Sequence, residues 1–229
     1  MLSFIEKIVF VLLALGCFGA SFVTFGRMFR AISIGTNPLN WKDILKNWQV
    51  GLFAFFSQKT LFKTRPVVGL IHAFVAWGFT LYLIVNIVDV LYGFIPGFSF
   101  LPNNIIGNIY RLFVDVFSLL VLFGVVYFLA RRFILKDQRL EINKPVMLSE
   151  LAVSGMRFDS LLVGSFIILH VGSRFLSASF EIAHTQSDWS QPGANMMSKL
   201  WIGLQPDSIV MMEHITWWMA LGLILLFLP

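Results

Sequence analysis

The chain alternates long apolar runs with shorter polar ones, and the apolar runs are too long for strands. Residues 8–26 carry no charge, and comparable runs return at 66–88, 108–130, 160–180 and 209–229. Crossing the roughly 30 Å hydrocarbon core of a bilayer takes about 20 residues of helix. The pattern therefore predicts an all-α integral membrane bundle of five transmembrane helices, forming a single domain over residues 1–229. Interruptions are few: Arg111 and Asp115 in the third run, Arg174 in the fourth and Glu213 in the fifth. A cleaved signal peptide is the competing reading of the first run, but the run is long and lacks a small-x-small cleavage site.

One polar segment has structure of its own. Asn37 followed by Pro38 is a good helix start, a capping residue and then proline at the first position. Ile44, Leu45, Trp48, Leu52 and Phe56 follow at helical spacing, with Lys42, Asp43, Lys46 and Gln49 between them. This reads either as a helix lying in the membrane interface, basic face toward the headgroups, or as a segment packed under the bundle.

Composition agrees and excludes much. Hydrophobic residues make up 58% and charged residues 13%, against roughly 25% charged in soluble domains. Mean hydropathy is +0.81. A cytosolic enzyme, a disordered chain and a disulfide-stapled secreted domain are all ruled out. The net charge of +5 is topological in origin. Thirteen of the 17 Lys and Arg residues fall within 27–65 and 131–157. By the positive-inside rule these segments are cytoplasmic, so the N-terminus is expected outside and the C-terminus inside. Membrane lipid is the expected environment, and no nucleic acid is expected as a partner. Cys17 is the lone cysteine. Iron–sulfur clusters must then lie on a partner or on a missing extension.

Chemistry in such a bundle needs polar side chains inside it, and these are costly in lipid. The four histidines, His72, His170, His184 and His214, all fall in the runs or at their ends. His170 and His184 are 14 residues apart, about 1400° of helix and about 21 Å of rise, so both face one side if the helix continues. Two haems b stacked across a membrane need one axial ligand near each leaflet. By depth, His72 matches His170 and His214 matches His184, as axial ligands to haem iron. Packing histidines are the plain alternative for each. Arg174, one turn from His170, is a candidate for a haem propionate or a quinone oxygen, or else pairs structurally with Glu181. Arg65 is a candidate for a propionate at the cytoplasmic surface, or a simple membrane-edge arginine. Arg111 and Asp115, at i and i+4, are expected to pair with each other, and Asp89 to be solvated.

The stretch Lys63-Thr64-Arg65-Pro66-Val67-Val68-Gly69-Leu70-Ile71-His72, followed by Trp77-Gly78-Phe79, resembles the second helix of membrane cytochrome b domains of the heterodisulfide reductase type. Arg131-Arg132 and His214-Ile215-Thr216-Trp217-Trp218 fit the same family, and five helices match the related gamma subunit of respiratory nitrate reductase. The resemblance implies one or two haems b, with His72 and His214 as ligands, and menaquinone or another quinone as substrate. It also implies cytoplasmic iron–sulfur or flavin redox subunits, a larger complex, and the inner membrane of a prokaryote. Two departures stand out. The family commonly has a histidine where this chain has Ala220, and a basic-x-x-His segment past the fifth helix, beyond Pro229. A cytoplasmic continuation is therefore expected, and its histidine is a rival partner for His72. The functional expectation is a b-type cytochrome relaying electrons between a quinone pool and an iron–sulfur oxidoreductase. Its rivals are a proton or anion transporter using the buried His and Arg, and a non-redox membrane anchor.

Overall fold

A computed structural model describes residues 2–35, 40–101, 103–140, 150–185 and 187–229. Eight α-helices are present among them: α1 Phe4–Ser33, α2 Trp41–Ser57, α3 Lys59–Thr64, α4 Pro66–Phe94, α5 Ile105–Leu129, α6 Glu150–Thr185, α7 Pro192–Ser198 and α8 Pro206–Phe227. Five are long and apolar enough to cross a membrane: α1, α4, α5 with its extension to Ile134, α6 from Gly155, and α8. The five expected spans are thus present; the first four are extended by a turn or more at one end or both, and the fifth starts three residues earlier and ends two earlier than expected. The first span reaches back through Lys7 and Glu6 to a capping box in which Ser3 and Glu6 bond each other's backbone. The proposed start at Asn37-Pro38 lies outside the described residues. The helix expected there begins at Trp41, with Asn40 as its cap.

The helices alternate in direction. Leu2 N–H donates to the Gly93 carbonyl, which joins the start of α1 to the end of α4. Asp89 and Tyr82 of α4 meet Arg174 and His170 of α6 in the same order, so those two helices run together. Ala220 of α8 meets His170, and Trp217 meets Asp89, which sets α8 antiparallel to both. Arg132 at the end of α5 bonds Ser160 near the start of α6. The two basic segments therefore leave from one end of the bundle, called here the basic end.

α6 packs most extensively on α8, and α5 packs on both α4 and α6. The core is a seam of Tyr82, Val85, Val114, Val121, Val125, Ile167 and Val171. Close approach of α4 to α5 requires glycine at 78, where a Cβ would collide with the Val121 side chain. Small residues at such contacts are how apolar helices associate when lipid is as apolar as they are. The outward faces are largely apolar, Phe22 and Leu12 on α1 among them, as lipid contact demands. α2 has no buried residue. It turns into α3 at Gln58, whose φ of 48° is left-handed. At its far end α5 widens into a π-turn over Ala130–Ile134, which carries Arg131 and Arg132.

Candidate functional site

The inward face of α6 carries a polar stripe at helical spacing: His170, Ser173, Arg174, Ser177 and Glu181. His170 is buried, stacked parallel on Phe166 at 5.8 Å and edge-on to Tyr82 at 5.6 Å. One turn on, Arg174 Nε donates to Asp89 Oδ2 at 2.7 Å, an ion pair between α6 and α4. The Asp89 backbone is itself fixed, since its carbonyl accepts from Trp217 Nε1 at 3.1 Å. The sequence predicts a solvated Asp89, and for Arg174 a propionate or quinone oxygen, with Glu181 as the alternative structural partner. The packing instead turns both inward, toward each other, because neither charge survives alone in a low-dielectric interior.

This ion pair lies in the wall of a cavity of about 810 Å³ that opens at the end away from the basic segments. Glu181, Tyr110, Trp217 and Ala220 also line it. Glu181 lies seven residues beyond Arg174, about 10 Å along α6. The wall thus combines a polar floor, aromatic sides and an acidic mouth.

The segment after α6 crosses this end and is laced to α5. Arg111 bonds Ser190 Oγ at 3.2 Å, Asn103 and Asn108, and lies 3.6 Å from Asp188. Asp115 accepts from the amides of Gly193 at 2.7 Å and Ala194 at 2.9 Å, and so caps α7 from another helix. The expected Arg111–Asp115 pair is not formed, because both side chains are taken by the crossing segment. Burial opposes ionisation of Asp188, but bonds from Ser190 and Gln191, with Arg111 nearby, hold its carboxyl below the ordinary range. A depressed folded pKa stabilises above the unfolded value, near 3.9, and that contribution is lost as pH falls through the folded value. Hydrogen-exchange protection of the Ser190 amide, which donates to Asp188, is expected to hold at neutral pH and to be lost as pH falls below the ordinary carboxylate range, through the depressed folded value. Protection that is unchanged there would show that Asp188 does not anchor the segment.

The histidines divide into two kinds. His72 Nδ1 donates to Gln58 Oε1 at 3.2 Å, and Gln58 is oriented by its own bond to the Phe55 carbonyl. His170 Nδ1 donates to the Ala220 carbonyl at 2.8 Å. Both bonds fix the tautomer and leave Nε2 with its lone pair, the state a metal-ligating imidazole needs. His214 is the reverse: Nε2 is bound to Glu6 Oε1 at 2.5 Å, and Trp218 Nε1 reaches the same oxygen at 3.1 Å. His184 is exposed near the end of α6.

The expected pairing by depth does not emerge. His170 lies level with Tyr82, ten residues and about 15 Å along α4 from His72. The His170–Ala220 contact puts His184 eight residues, or about 12 Å, from the level of His214. Donor chemistry for haem iron is thus present at His72 and His170, but no two of the four face each other across one porphyrin. Among the described residues, no three His, Cys, Asp or Glu side chains form a metal-holding cluster. Arg65 is exposed, between α3 and α4 at the basic end, where its carbonyl accepts from Gly69 N–H.

A curated protein of Syntrophomonas wolfei subsp. wolfei (strain DSM 2245B / Goettingen), named EtfAB:quinone oxidoreductase, is similar to this chain. Identity is 27% over 192 residues, covering 82% of this chain and 26% of that protein. The chain thus spans about a quarter of the length of the curated relative it matches. No family model and no solved structure matches.

Several residues of the site were not anticipated. Tyr82 donates to Ser118 Oγ at 2.8 Å, whose own proton goes to the Val114 carbonyl, so a polar chain runs between α4 and α5 beside His170. The signal was there, a tyrosine and a serine within apolar spans, but neither spacing nor charge singles them out. Gln58 left no signal, since its role depends on a left-handed turn. Glu6 sits just before the first uncharged run and reads as a helix-start acid, which it also is.

Proposed function

We propose that the chain is the membrane module of a quinone-linked electron-transfer protein, with the quinone headgroup bound in the cavity between α4, α5, α6 and α8. The observation that carries this reading is the Arg174–Asp89 pair in the wall of that cavity, within a bundle whose outside is apolar. A quinone needs an apolar approach for its ring and tail and a few fixed polar groups for its oxygens. Arg174 supplies donors and Asp89 an acceptor. The relative's name, a quinone oxidoreductase acting with EtfAB, supports the same reading.

With the basic segments cytoplasmic, the cavity opens to the outside of a prokaryotic inner membrane. Electrons are then exchanged at the opposite face with iron–sulfur or flavin subunits. Haem b, where bound, supplies one-electron storage between the two faces. His72 and His170, about 15 Å apart along the bundle, are each proposed as an iron ligand to a separate haem, by the chemistry of their free Nε2 atoms. Arg65, on the basic side of His72, is the proposed propionate partner there.

Equilibrium binding of a short-chain menaquinone analogue to the purified protein tests the cavity. Saturable binding that Ala220→Trp abolishes, by filling the inner wall, is expected. Binding that is unaffected by that change would move the quinone elsewhere. Proton flux in proteoliposomes without any redox activity would replace the electron-transfer reading with the transporter one.

A further inference from the structure

We propose that Asp89 is the group through which the bound quinone exchanges its protons, with Arg174 alternating between the Asp89 carboxylate and the quinone oxygen. This rests on the cavity being the quinone site. A quinol gives up two electrons only if it also gives up two hydroxyl protons, and lipid accepts neither. The carboxylates lining the cavity are Asp89, Glu181, Asp188 and Glu213. Glu213 precedes Trp217 by one turn of α8 and Glu181 follows Arg174 by two turns of α6, so both lie nearer the mouth. Asp188 is committed to Ser190, Gln191 and Arg111. Asp89 is thus the proton acceptor at the inner end, with its side chain 14% exposed.

The step balances. A quinol O–H bond breaks and an O–H bond forms on the Asp89 carboxylate. The Arg174 guanidinium, released from that carboxylate, donates instead to the quinone oxygen on which negative charge develops. One electron leaves to an acceptor of the haem or iron–sulfur class. Asp89 then gives its proton to water in the open cavity, the ion pair reforms, and a second cycle delivers the second electron and proton. Quinone reduction is the same sequence reversed. The groups facing Asp89 are Tyr82 and Tyr92 of its own helix, and Tyr110 and Arg111 of α5. From α6 come His170, Arg174 and Glu181, and from α8 Glu213.

The test uses the full-length protein in membrane vesicles, oxidising a short-chain menaquinol with ferricyanide as the one-electron acceptor. Asp89→Asn is expected to lower kcat by about 100-fold or more, the usual loss for a proton-transferring group. The Kd for the quinone should change by no more than about threefold, since general acid–base loss falls on turnover and not on binding. Asp89→Glu should restore most of the rate and displace the acid limb of the pH profile. Because the single variant leaves Arg174 without its partner, the double variant Asp89→Asn, Arg174→Gln, which buries no lone charge, is measured beside it and should be as slow. A wild-type rate and pH profile in either variant overturns the proposal, as does a loss confined to quinone binding. If the unmodified protein binds no quinone, the site reading itself fails and takes this proposal with it.

Discussion

Arg174→Gln is expected to destabilise the bundle by about 3–5 kcal/mol, because it leaves Asp89 inside the bundle without its cation. The pair is 2.7 Å long, and the two side chains are 21% and 14% exposed. Their attraction is therefore only partly screened. The sign of the effect depends on which partner is left behind. Removing one ion strands the other, whereas replacing both by neutral residues of similar shape is often close to neutral. Arg174→Gln combined with Asp89→Asn should accordingly recover most of the loss. Reversible unfolding in bicelle and detergent mixtures measures all three proteins. A single variant as stable as the parent would mean that water in the cavity, not Arg174, solvates Asp89.

The second large effect is spectroscopic. His72→Ala and His170→Ala are each expected to lower the b-type absorbance in reduced-minus-oxidised spectra of the full-length protein, each by the share of the haem it holds, with assembly retained. His184→Ala and His214→Ala should leave that absorbance in place. His72 and His170 spend Nδ1–H on Gln58 and on the Ala220 carbonyl and present a bare Nε2, whereas His214 spends Nε2 on Glu6. Gln58→Leu removes the acceptor that orients His72. Losses of such outer partners typically weaken metal binding by about 10–100-fold, so haem retention should drop in this variant without any ligand having changed. A parent protein with no b-type band and no extractable haem would end the haem reading and leave the quinone cavity standing.

The spans were legible because bilayer thickness imposes a length on apolar runs, and length survives any error about packing. The same holds for the clustering of basic residues, which the antiparallel order of the helices places at one end. What was not legible was who meets whom. Arg111 and Asp115 sit one turn apart and invite each other, yet each is claimed by a segment 70 to 80 residues further on. Local spacing predicts neighbours on a helix surface, but a buried ion goes to whichever partner desolvates it least. Likewise, depth counted from span ends placed His72 opposite His170. The register set by Tyr82 and Ala220 shifts them apart by about three turns of helix. The arginine in the fourth span was recognised as a candidate. Its partner was not, since Asp89 stands five residues from the end of its helix, where an acid passes for a surface residue.

That position also bears on the order in which the protein is made. Asp89 leaves the ribosome 85 residues ahead of Arg174. While α5 is being synthesised, α4 holds an acid whose cation does not yet exist. Standing five residues from the helix end, Asp89 is within reach of headgroups and water until α6 supplies Arg174. An acid at the middle of α4 would have no such waiting place, so the location of Asp89 makes the ion pair compatible with stepwise insertion.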